Sequence, residues 1–219
     1  GFKWENVKAA ARPKEDFKAF IELHIEQGPV LEASKNSIGI VEAIAAPTRL
    51  KIVVEGVPAH SGTTPMNQRQ DALVSAAMIV LAVQEVALSQ SHYGTVGTVG
   101  VLKVSPGVMN VIPGLVEMLV DLRGTNYDSI IQSLQDIKDA ISTISEGQET
   151  PVAIDVLTSE QPVTLDPNIA QVIEDSCRSL GLKYQRMPSG AGHDAMNMAK
   201  LTPTGMIFIP CHKGISHNP

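Results

Sequence analysis

The middle of the chain carries an order of secondary-structure patterns that few folds can accommodate. Between residues 48 and 160, a strand pattern is followed by a long alanine-rich helix pattern at 68–89 and two further strand patterns. An amphipathic helix pattern at 127–145 and a last strand pattern complete the segment. Apolar residues recur at every second position in the strand pattern at 115–123, and each helix pattern has an apolar face. The order β-α-β-β-α-β predicts an open-faced sandwich, with two helices on one face of a four-stranded antiparallel sheet.

The segments on either side of this block have the patterns of a second, α/β domain. In order, they predict a helix over 5–20, a strand over 20–27, a helix over 168–182, a short strand near 184–187 and a strand over 205–210. The last strand is a continuous apolar run, which is typical of a buried parallel strand. We therefore predict an α/β domain built from residues 1–47 and 161–219 and interrupted by an inserted domain of residues 48–160.

Composition excludes some classes of function. The 219 residues are 43% hydrophobic and 18% charged, which is typical of a soluble globular protein. With 17 Lys and Arg against 23 Asp and Glu, the net charge of −6 disfavours nucleic-acid binding. No run approaches the roughly 20 apolar residues of a membrane span, and the N-terminus lacks a signal-peptide core. Cys177 and Cys211 make no disulfide framework, so we expect a reducing, cytoplasmic setting and no membrane partner.

The segment FIELHIEQGP places His24 near the end of the predicted strand at 20–27. Enzymes built on sheets commonly expose functional groups at strand ends. A lone histidine is nevertheless more often an ordinary core or surface residue than a metal ligand. Glu22 and Glu26 alternate onto the same strand face as His24. They could orient its ring, or they could form a solvated polar face.

Three polar residues of the inserted domain are candidates with ordinary alternatives. His60 lies among small residues in GVPAHSGTTP, where an exposed turn histidine is the simpler interpretation. Asn110 lies in the loop SPGVMNVIPG, where it could cap a turn. Arg123 ends a strand, where it could form a salt bridge with Asp121 or Asp128 at the rim of the sheet.

The C-terminal segments carry the remaining candidates. In SGAGHDAM, Gly190 and Gly192 would allow a ligand to approach the backbone closely, although the segment could simply begin a helix. In IPCHKGISHNP, His217 follows a strand and is a plausible metal ligand. The pair Cys211 and His212 is disfavoured as a catalytic dyad, because adjacent residues of an extended chain point apart.

Taken together, these motifs resemble one enzyme family. ELHIEQGPVLE, GVPAHSGTTPMNQRQDAL, GVMNVIPG, DLRG, GAGHDAMNMA and FIPCHKGISHNP follow one another as in the zinc-dependent amidohydrolases of the M20 peptidase clan. The most similar branch contains N-carbamoyl-L-amino acid hydrolases, allantoate amidohydrolases and β-ureidopropionases. The resemblance extends over nearly the whole chain.

The resemblance implies a two-zinc α/β catalytic domain and an inserted lid that also forms a homodimer contact. It gives His24 as a ligand of one zinc and His217 as a ligand of the other, with Mn, Co or Ni as possible substitutes. It gives Gln27 as a contact of the substrate amide and His60 as the catalytic donor to the developing oxyanion. Asn110 and Arg123 would bind the carboxylate of a small-molecule substrate. Gly190, Gly192 and His193 would line the pocket.

The chain also departs from that family. By this resemblance, members of the family are about twice as long as this chain. They carry an upstream HxD motif and a Glu-Glu pair, which supply further metal ligands and the general base. Neither motif precedes residue 22 here. We therefore expect an internal fragment that is inactive alone and exposes apolar sheet surface. The alternatives are a non-catalytic dimerisation or ligand-binding module, or an aminoacylase or peptidase acting on N-acyl amino acids.

Overall fold

A computed structural model describes residues 3–216, which divide into two compact units. The outer unit contains Gly1–Ile44 and Val163–Pro219, and the inserted unit is Ala45–Pro162. The boundaries lie within three residues of those expected from the sequence. The chain passes from the outer unit to the inserted unit between β2 (Ile38–Ile44) and β3 (Ala46–Glu55) without an intervening loop.

Helices and strands are numbered along the chain. The first is β1 (Phe20–Ile25), followed by α1 (Val30–Ser34), β2 and β3. The rest of the inserted unit consists of α2 (Ala72–Ser89), β4 (Val96–Ser105), β5 (Leu115–Gly124), α3 (Tyr127–Gln148) and β6 (Val152–Ser159). The outer unit resumes with β7 (Val163–Thr164), α4 (Pro167–Ser179), β8 (Tyr184–Ser189), α5 (Ala195–Met198) and β9 (Thr204–Ile209).

The outer unit is built on a mixed sheet with helices on both faces. β1 runs parallel to β9, β9 runs antiparallel to β2, and β2 pairs with β8 in parallel and with β7 in antiparallel orientation. On one face of this sheet, helix α4 packs closely against β2 and β9. A Cβ on Gly205 would lie 2.3 Å from Ile169 of α4. The other face holds a second core cluster, which consists of Leu31, Val41, Ile44, Leu165, Met187, Ala195, Met206 and Phe208.

Strand β1 leaves apolar side chains in solvent, as predicted for this part of the chain. Ile21, Leu23 and Ile25 are 51%, 63% and 36% exposed, whereas Glu22 and His24 on the opposite face are half-buried. β1 lies at the end of the strand order, and α4 packs on β2 and β9. The apolar stripe therefore continues the face that α4 covers.

The inserted unit has the element order β-α-β-β-α-β and an antiparallel sheet with the strand order β4-β5-β3-β6. Helix α2 begins at Ala72 because the Asp71 side chain accepts hydrogen bonds from Leu73 and Val74 N–H. Asn126 caps α3 in the same way. Both helices belong to the same buried core cluster as the sheet, which includes Leu50, Ile52, Val54, Ile79, Val83, Met118, Ile137 and Ile141.

Helix α2 is apolar on more than its buried face. Among the described residues it is the one helix long and apolar enough to cross a membrane, a property that core helices also show. One side packs into the core of the inserted unit. The other side exposes Val74, Met78, Leu81 and Leu88. This second set, with the spacing of one helix face, is called the α2 stripe below.

The predicted N-terminal helix over residues 5–20 is wrong. The structure has three short 3-10 turns, Trp4–Asn6, Lys8–Ala10 and Lys14–Asp16, and then enters β1. Pro13 cannot donate a backbone hydrogen bond, and residues 3–16 are all exposed. A helix there would have no buried face to stabilise it. The helix predicted over 68–89 is shorter at its start, because Asp71 caps it.

Candidate functional site

His24 is held so that one ring nitrogen remains available. It lies near the C-terminal end of β1, directly opposite Phe208 of the parallel strand β9. Its Nδ1 is 2.8 Å from the Ile25 carbonyl oxygen, and a carbonyl can only accept a hydrogen bond, so Nδ1 carries the proton. The Nε2 lone pair is thereby left for a metal, an arrangement common among histidine ligands.

The turn after β1 is fixed by a buried carboxylate. Glu26 is 8% exposed, and its two oxygens accept hydrogen bonds from Val30 N–H and Leu31 N–H, each at 2.8 Å. These bonds satisfy free donors at the start of α1. Gln27, the predicted contact of the substrate amide, follows immediately and has a φ of 59°. A non-glycine residue rarely adopts this left-handed conformation.

His193 is packed directly against His24. The two ring centroids are 4.7 Å apart in an edge-to-face arrangement, and the His193 side chain is 2% exposed. Its Nε2 lies 2.8 Å from Ser189 Oγ, and its Nδ1 lies 3.7 Å from Glu22 Oε1. Burial, and after it the charge of His24, lowers the pKa of His193 to about 4. The ring is therefore neutral at physiological pH.

The outer unit has a pocket of about 550 Å³, and Phe208, whose ring contacts that of His193, forms part of its lining. Its lining is Glu26, Gln27, Gly28, Pro29, Val30, Met187, Pro188, Gly190, Ala191, Phe208 and Ser216. Two residues predicted to contact substrate, Gln27 and Gly190, thus border one cavity. A Cβ on Gly190 would meet no atom within 4 Å, and one on Gly192 would meet Met196 Sδ at 3.8 Å. Both glycines therefore leave space beside the Cα atom.

The segment after β9 is anchored to the start of the chain's first helix. Glu32 of α1 accepts a hydrogen bond from Lys213 N–H at 2.7 Å and lies 3.0 Å from His212 Nδ1. These contacts lower the pKa of Glu32, with the Lys213 bond as the largest cause. Gly214 has a φ of 68° and rests on the backbone of Gly28. His217, the second predicted metal ligand, lies outside the described residues.

His60 and Asn110 lie in two different loops of the inserted unit, and backbone hydrogen bonds join these loops. His60 pairs with Val111 in an isolated bridge, and Ser61 N–H donates to the Asn110 carbonyl at 3.0 Å. The His60 Nδ1 accepts a hydrogen bond from Gly62 N–H at 3.1 Å. That bond requires the proton to be on Nε2, so the exposed edge of the ring is a hydrogen-bond donor.

Arg123 lies at the opposite end of the same sheet. It is eight residues after Leu115, where the loop containing Asn110 enters β5, a separation of roughly 27 Å along an extended strand. Its guanidinium is paired with Asp121 through Nε–Oδ1 at 2.5 Å and Nη2–Oδ2 at 3.0 Å. This pairing lowers the pKa of Asp121 and raises that of Arg123. Within one inserted unit, Arg123 is not brought together with His60 and Asn110.

Sequence reasoning missed two neighbours of the histidine pair. Ser189 ends β8 and contacts His193, and the loop geometry that brings them together has no local sequence signal. Glu22 was noted only as a carboxylate on the same strand face as His24. Among residues 3–216, no group of three or more His, Cys, Asp or Glu side chains is placed to hold a metal ion.

Comparison with known proteins gives one consistent result. The family model described as "Peptidase family M20/M25/M40" matches residues 5–219. An uncharacterized hydrolase of Haemophilus influenzae is 46% identical, over all of this chain and 53% of the relative. An N-carbamoyl-L-amino-acid amidohydrolase of Paenarthrobacter aurescens is 39% identical, also over all of this chain and 53% of the relative.

The solved structures agree with the sequence comparison. An amidase of the hydantoinase/carbamoylase family from Burkholderia multivorans superposes with a TM-score of 0.90 at 36% identity. The match covers 95% of this chain and 50% of that structure. The chain therefore has the mixed α/β fold of these amidohydrolases. It spans about half the length of the curated relatives that it matches.

Proposed function

The chain belongs to Peptidase family M20/M25/M40, and we propose that it forms part of a metal-dependent amidohydrolase. The reaction is hydrolysis of a linear amide or ureido C–N bond in a small carboxylate-bearing substrate, either an N-carbamoyl-L-amino acid or allantoate. The Paenarthrobacter relative is named for the first of these substrates. In this proposal two bound metal ions would activate the attacking water, and the inserted unit acts as the lid.

The observation that carries the proposal is the state of His24. Its Nδ1–H is committed to the Ile25 carbonyl, so its Nε2 is a metal donor at the end of β1. Phe208, which pairs with His24 across strands β1 and β9, also lines the pocket that Gln27 and Gly190 border. We assign His24 to one metal and His217 to the other. Imidazole nitrogen suits zinc, and it also suits other transition metals.

Each further residue contributes a function suited to its chemistry. A bound zinc pair lowers the pKa of a water molecule and polarises the scissile carbonyl. Gln27 borders the pocket and can hydrogen-bond the substrate amide, and Gly190 and Gly192 leave room for the substrate beside the backbone. His60 presents an Nε2–H, the donor that a developing oxyanion requires.

The carboxylate contacts require two copies of the chain. Asn110 and Arg123 lie at opposite ends of one sheet, further apart than the length of a small substrate. Both can bind one substrate only if one copy supplies Arg123 and the other supplies Asn110 with His60. A two-fold dimer provides this arrangement at two equivalent sites.

The surface of the inserted unit favours such a dimer. The α2 stripe of Val74, Met78, Leu81 and Leu88 is exposed, and the neighbouring edge strand β4 exposes Leu102 on the face of the sheet that the helices cover. An apolar helix face beside an unpaired strand edge is a surface that a second copy can cover. We propose that two inserted units associate through this surface.

The 219 residues alone are expected to be inactive. Zinc sites take three or four protein ligands, and the described residues bring no such group together. The remaining ligands and the general base must come from outside residues 3–216. If the chain instead turns over substrate with zinc and no further polypeptide, this part of the proposal is wrong.

The first test is the intact mass of the natural protein, detected through peptides of this chain. A mass about twice 23.4 kDa would agree with the length of the relatives. That protein should then hydrolyse an N-carbamoyl-L-amino acid or allantoate with zinc and lose activity on chelation. Activity confined to N-acyl amino acids would favour the aminoacylase alternative. A natural mass of 23.4 kDa without turnover would favour the binding or dimerisation module.

A further inference from the structure

Glu22 joins β1 to the segment that carries His193. One carboxylate oxygen, Oε2, accepts a hydrogen bond from Ala195 N–H at 2.7 Å, and the other, Oε1, lies 3.7 Å from His193 Nδ1. The side chain is 16% exposed and lies on the same face of β1 as His24, two residues earlier. A carboxylate placed between these elements is well situated to control the neighbouring ring.

The proton of His193 has two possible positions, and Ser189 can accommodate either. Ser189 Oγ lies 2.8 Å from His193 Nε2 and 3.0 Å from the Ala191 carbonyl, and it accepts a hydrogen bond from Ala191 N–H at 3.2 Å. A hydroxyl has a single proton. If Ser189 donates to Nε2, His193 carries its proton on Nδ1. If Ser189 donates to the Ala191 carbonyl, the proton is on Nε2.

Glu22 distinguishes these two arrangements. With the proton on Nε2, the Nδ1 lone pair would face a carboxylate oxygen in a nearly solvent-free position. With the proton on Nδ1, an N–H dipole faces that oxygen. The separation of 3.7 Å is longer than a hydrogen bond, but the attraction between a charge and a dipole persists at that distance, and little water is present to screen it.

We propose that Glu22 is a positioning residue: with Ser189 it fixes His193 as the Nδ1–H tautomer, and the fixed ring holds His24 in place. The His193 ring lies edge-to-face against His24, and its centroid is 5.6 Å from that of the Phe208 ring. Both nitrogens of His193 then face protein groups, so His193 acts on the metal site through His24 and does not bind the metal. This inference rests on the proposed function only in giving His24 its metal.

The tautomer can be measured on the 219-residue chain without metal or substrate. With ¹⁵N-labelled histidine, long-range ¹H–¹⁵N spectra distinguish a protonated ring nitrogen from one with a free lone pair. We expect His193 to be protonated on Nδ1 and unprotonated on Nε2. Protonation on Nε2 in the unmodified chain would overturn the proposal, whatever becomes of the enzymatic assignment.

Two substitutions separate control of the tautomer from a simple structural role. In Glu22→Gln the amide oxygen can still accept from Ala195 N–H while the NH₂ group faces Nδ1, so the major tautomer should become Nε2–H. Glu22→Asp keeps the charge and should keep Nδ1–H as the major form. The ring-current shift that His193 imposes on the His24 protons should persist in Glu22→Asp and change in Glu22→Gln.

His92 provides the internal reference, because it lies in the inserted unit, where its ring contacts that of Tyr93 at a tilt. Its ring signals should be the same in all three proteins. An unchanged His193 tautomer in Glu22→Gln would overturn the proposal. If Glu22→Gln does not fold, the tautomer of the unmodified chain and of Glu22→Asp still decides it.

Discussion

Arg123 donates hydrogen bonds to both carboxylate oxygens of Asp121, its neighbour on the same face of β5. Arg49 of the adjacent strand β3 donates a third bond to Asp121 Oδ2 at 3.2 Å. The guanidinium proposed to bind a substrate carboxylate is thus engaged by a carboxylate of its own chain. A substrate carboxylate bound by Arg123, as proposed, would therefore share the guanidinium with Asp121.

The first prediction concerns the pH dependence of this pair. Asp121→Asn should lower the free energy of unfolding of the inserted unit at pH 7 by about 0.5–1 kcal/mol, because both side chains are about one-third exposed and solvent screens them. Arg123, and then Arg49, lower the pKa of Asp121 in the folded state. Its contribution is therefore complete above the unfolded pKa of about 3.9 and is lost as the pH falls through the lowered value.

Urea unfolding at pH 7 and pH 2, followed by NMR signals of the inserted unit, measures this effect. The difference between the unmodified chain and Asp121→Asn should be smaller at pH 2. Asp136→Asn, in which a half-exposed carboxylate on helix α3 becomes an amide, is the matched control. A difference that grows in acid would contradict the assignment.

The second prediction concerns the anchoring of the segment after β9. Gly214→Ala adds a Cβ 2.8 Å from the Gly28 carbonyl carbon at a φ of 68°, so it combines backbone strain with a clash. Gly181→Ala has the same kind of φ, 66°, but an open environment. Gly181→Ala, the control, should lower the free energy of unfolding by about 1 kcal/mol from backbone strain alone, and Gly214→Ala should lower it further. Thermal unfolding of the outer unit measures the loss of stability in the two variants. Equal losses would mean that the backbone at Gly28 moves aside for the added methyl group and that this contact does not anchor the segment.

The inserted unit could be predicted closely from its sequence because its elements are long and periodic. The strand predicted at 115–123 is observed as Leu115–Gly124, and the helix predicted at 127–145 as Tyr127–Gln148. Their apolar residues form one contiguous core, so local pattern and tertiary packing agree. Where that agreement fails, as in residues 5–20, the predicted helix is absent, since no buried face supports it.

The candidate site could be predicted only in part. The strand-end position of His24 followed from the alternation around it, whereas the contact with His193 joins residues 169 positions apart in the chain. Local sequence also could not show that His60 and Asn110 share one end of the sheet while Arg123 occupies the other. That separation depends on which strands pair and in what register, and long-range pairing of this kind leaves no signature in a short motif.

The third prediction concerns the open backbone at Gly190. A Cβ at this position would meet no protein atom within 4 Å, and the residue borders the pocket that Gln27 also lines. Gly190→Ala should therefore change stability by less than about 0.5 kcal/mol. In an active, longer form of the protein it should lower kcat/KM about tenfold, because the methyl group occupies substrate space.

Gly147→Ala is the matched control, because a Cβ there also meets no atom within 4 Å but lies in α3. This variant should leave kcat/KM unchanged. Unaltered kinetics in Gly190→Ala would exclude this side of the pocket as the substrate site.

The fourth prediction concerns the dimer surface. Leu81 and Leu88 in the α2 stripe are 59% and 63% exposed, and a second copy would bury them. Leu81→Lys with Leu88→Lys should convert a dimer to a monomer, since two buried, unpaired charges are costly at an apolar interface. Light scattering coupled to size-exclusion chromatography gives the mass directly.

Leu180→Lys is the matched control for this surface. Leu180 is 71% exposed at the end of α4 in the outer unit and is not part of the α2 stripe, so its substitution should leave the mass unchanged. If the unmodified chain is already monomeric, or if the double variant remains dimeric, the α2 stripe is not the interface. Asn110 and Arg123 would then have to meet one substrate through a different contact between copies, because the register of β5 keeps them apart within one.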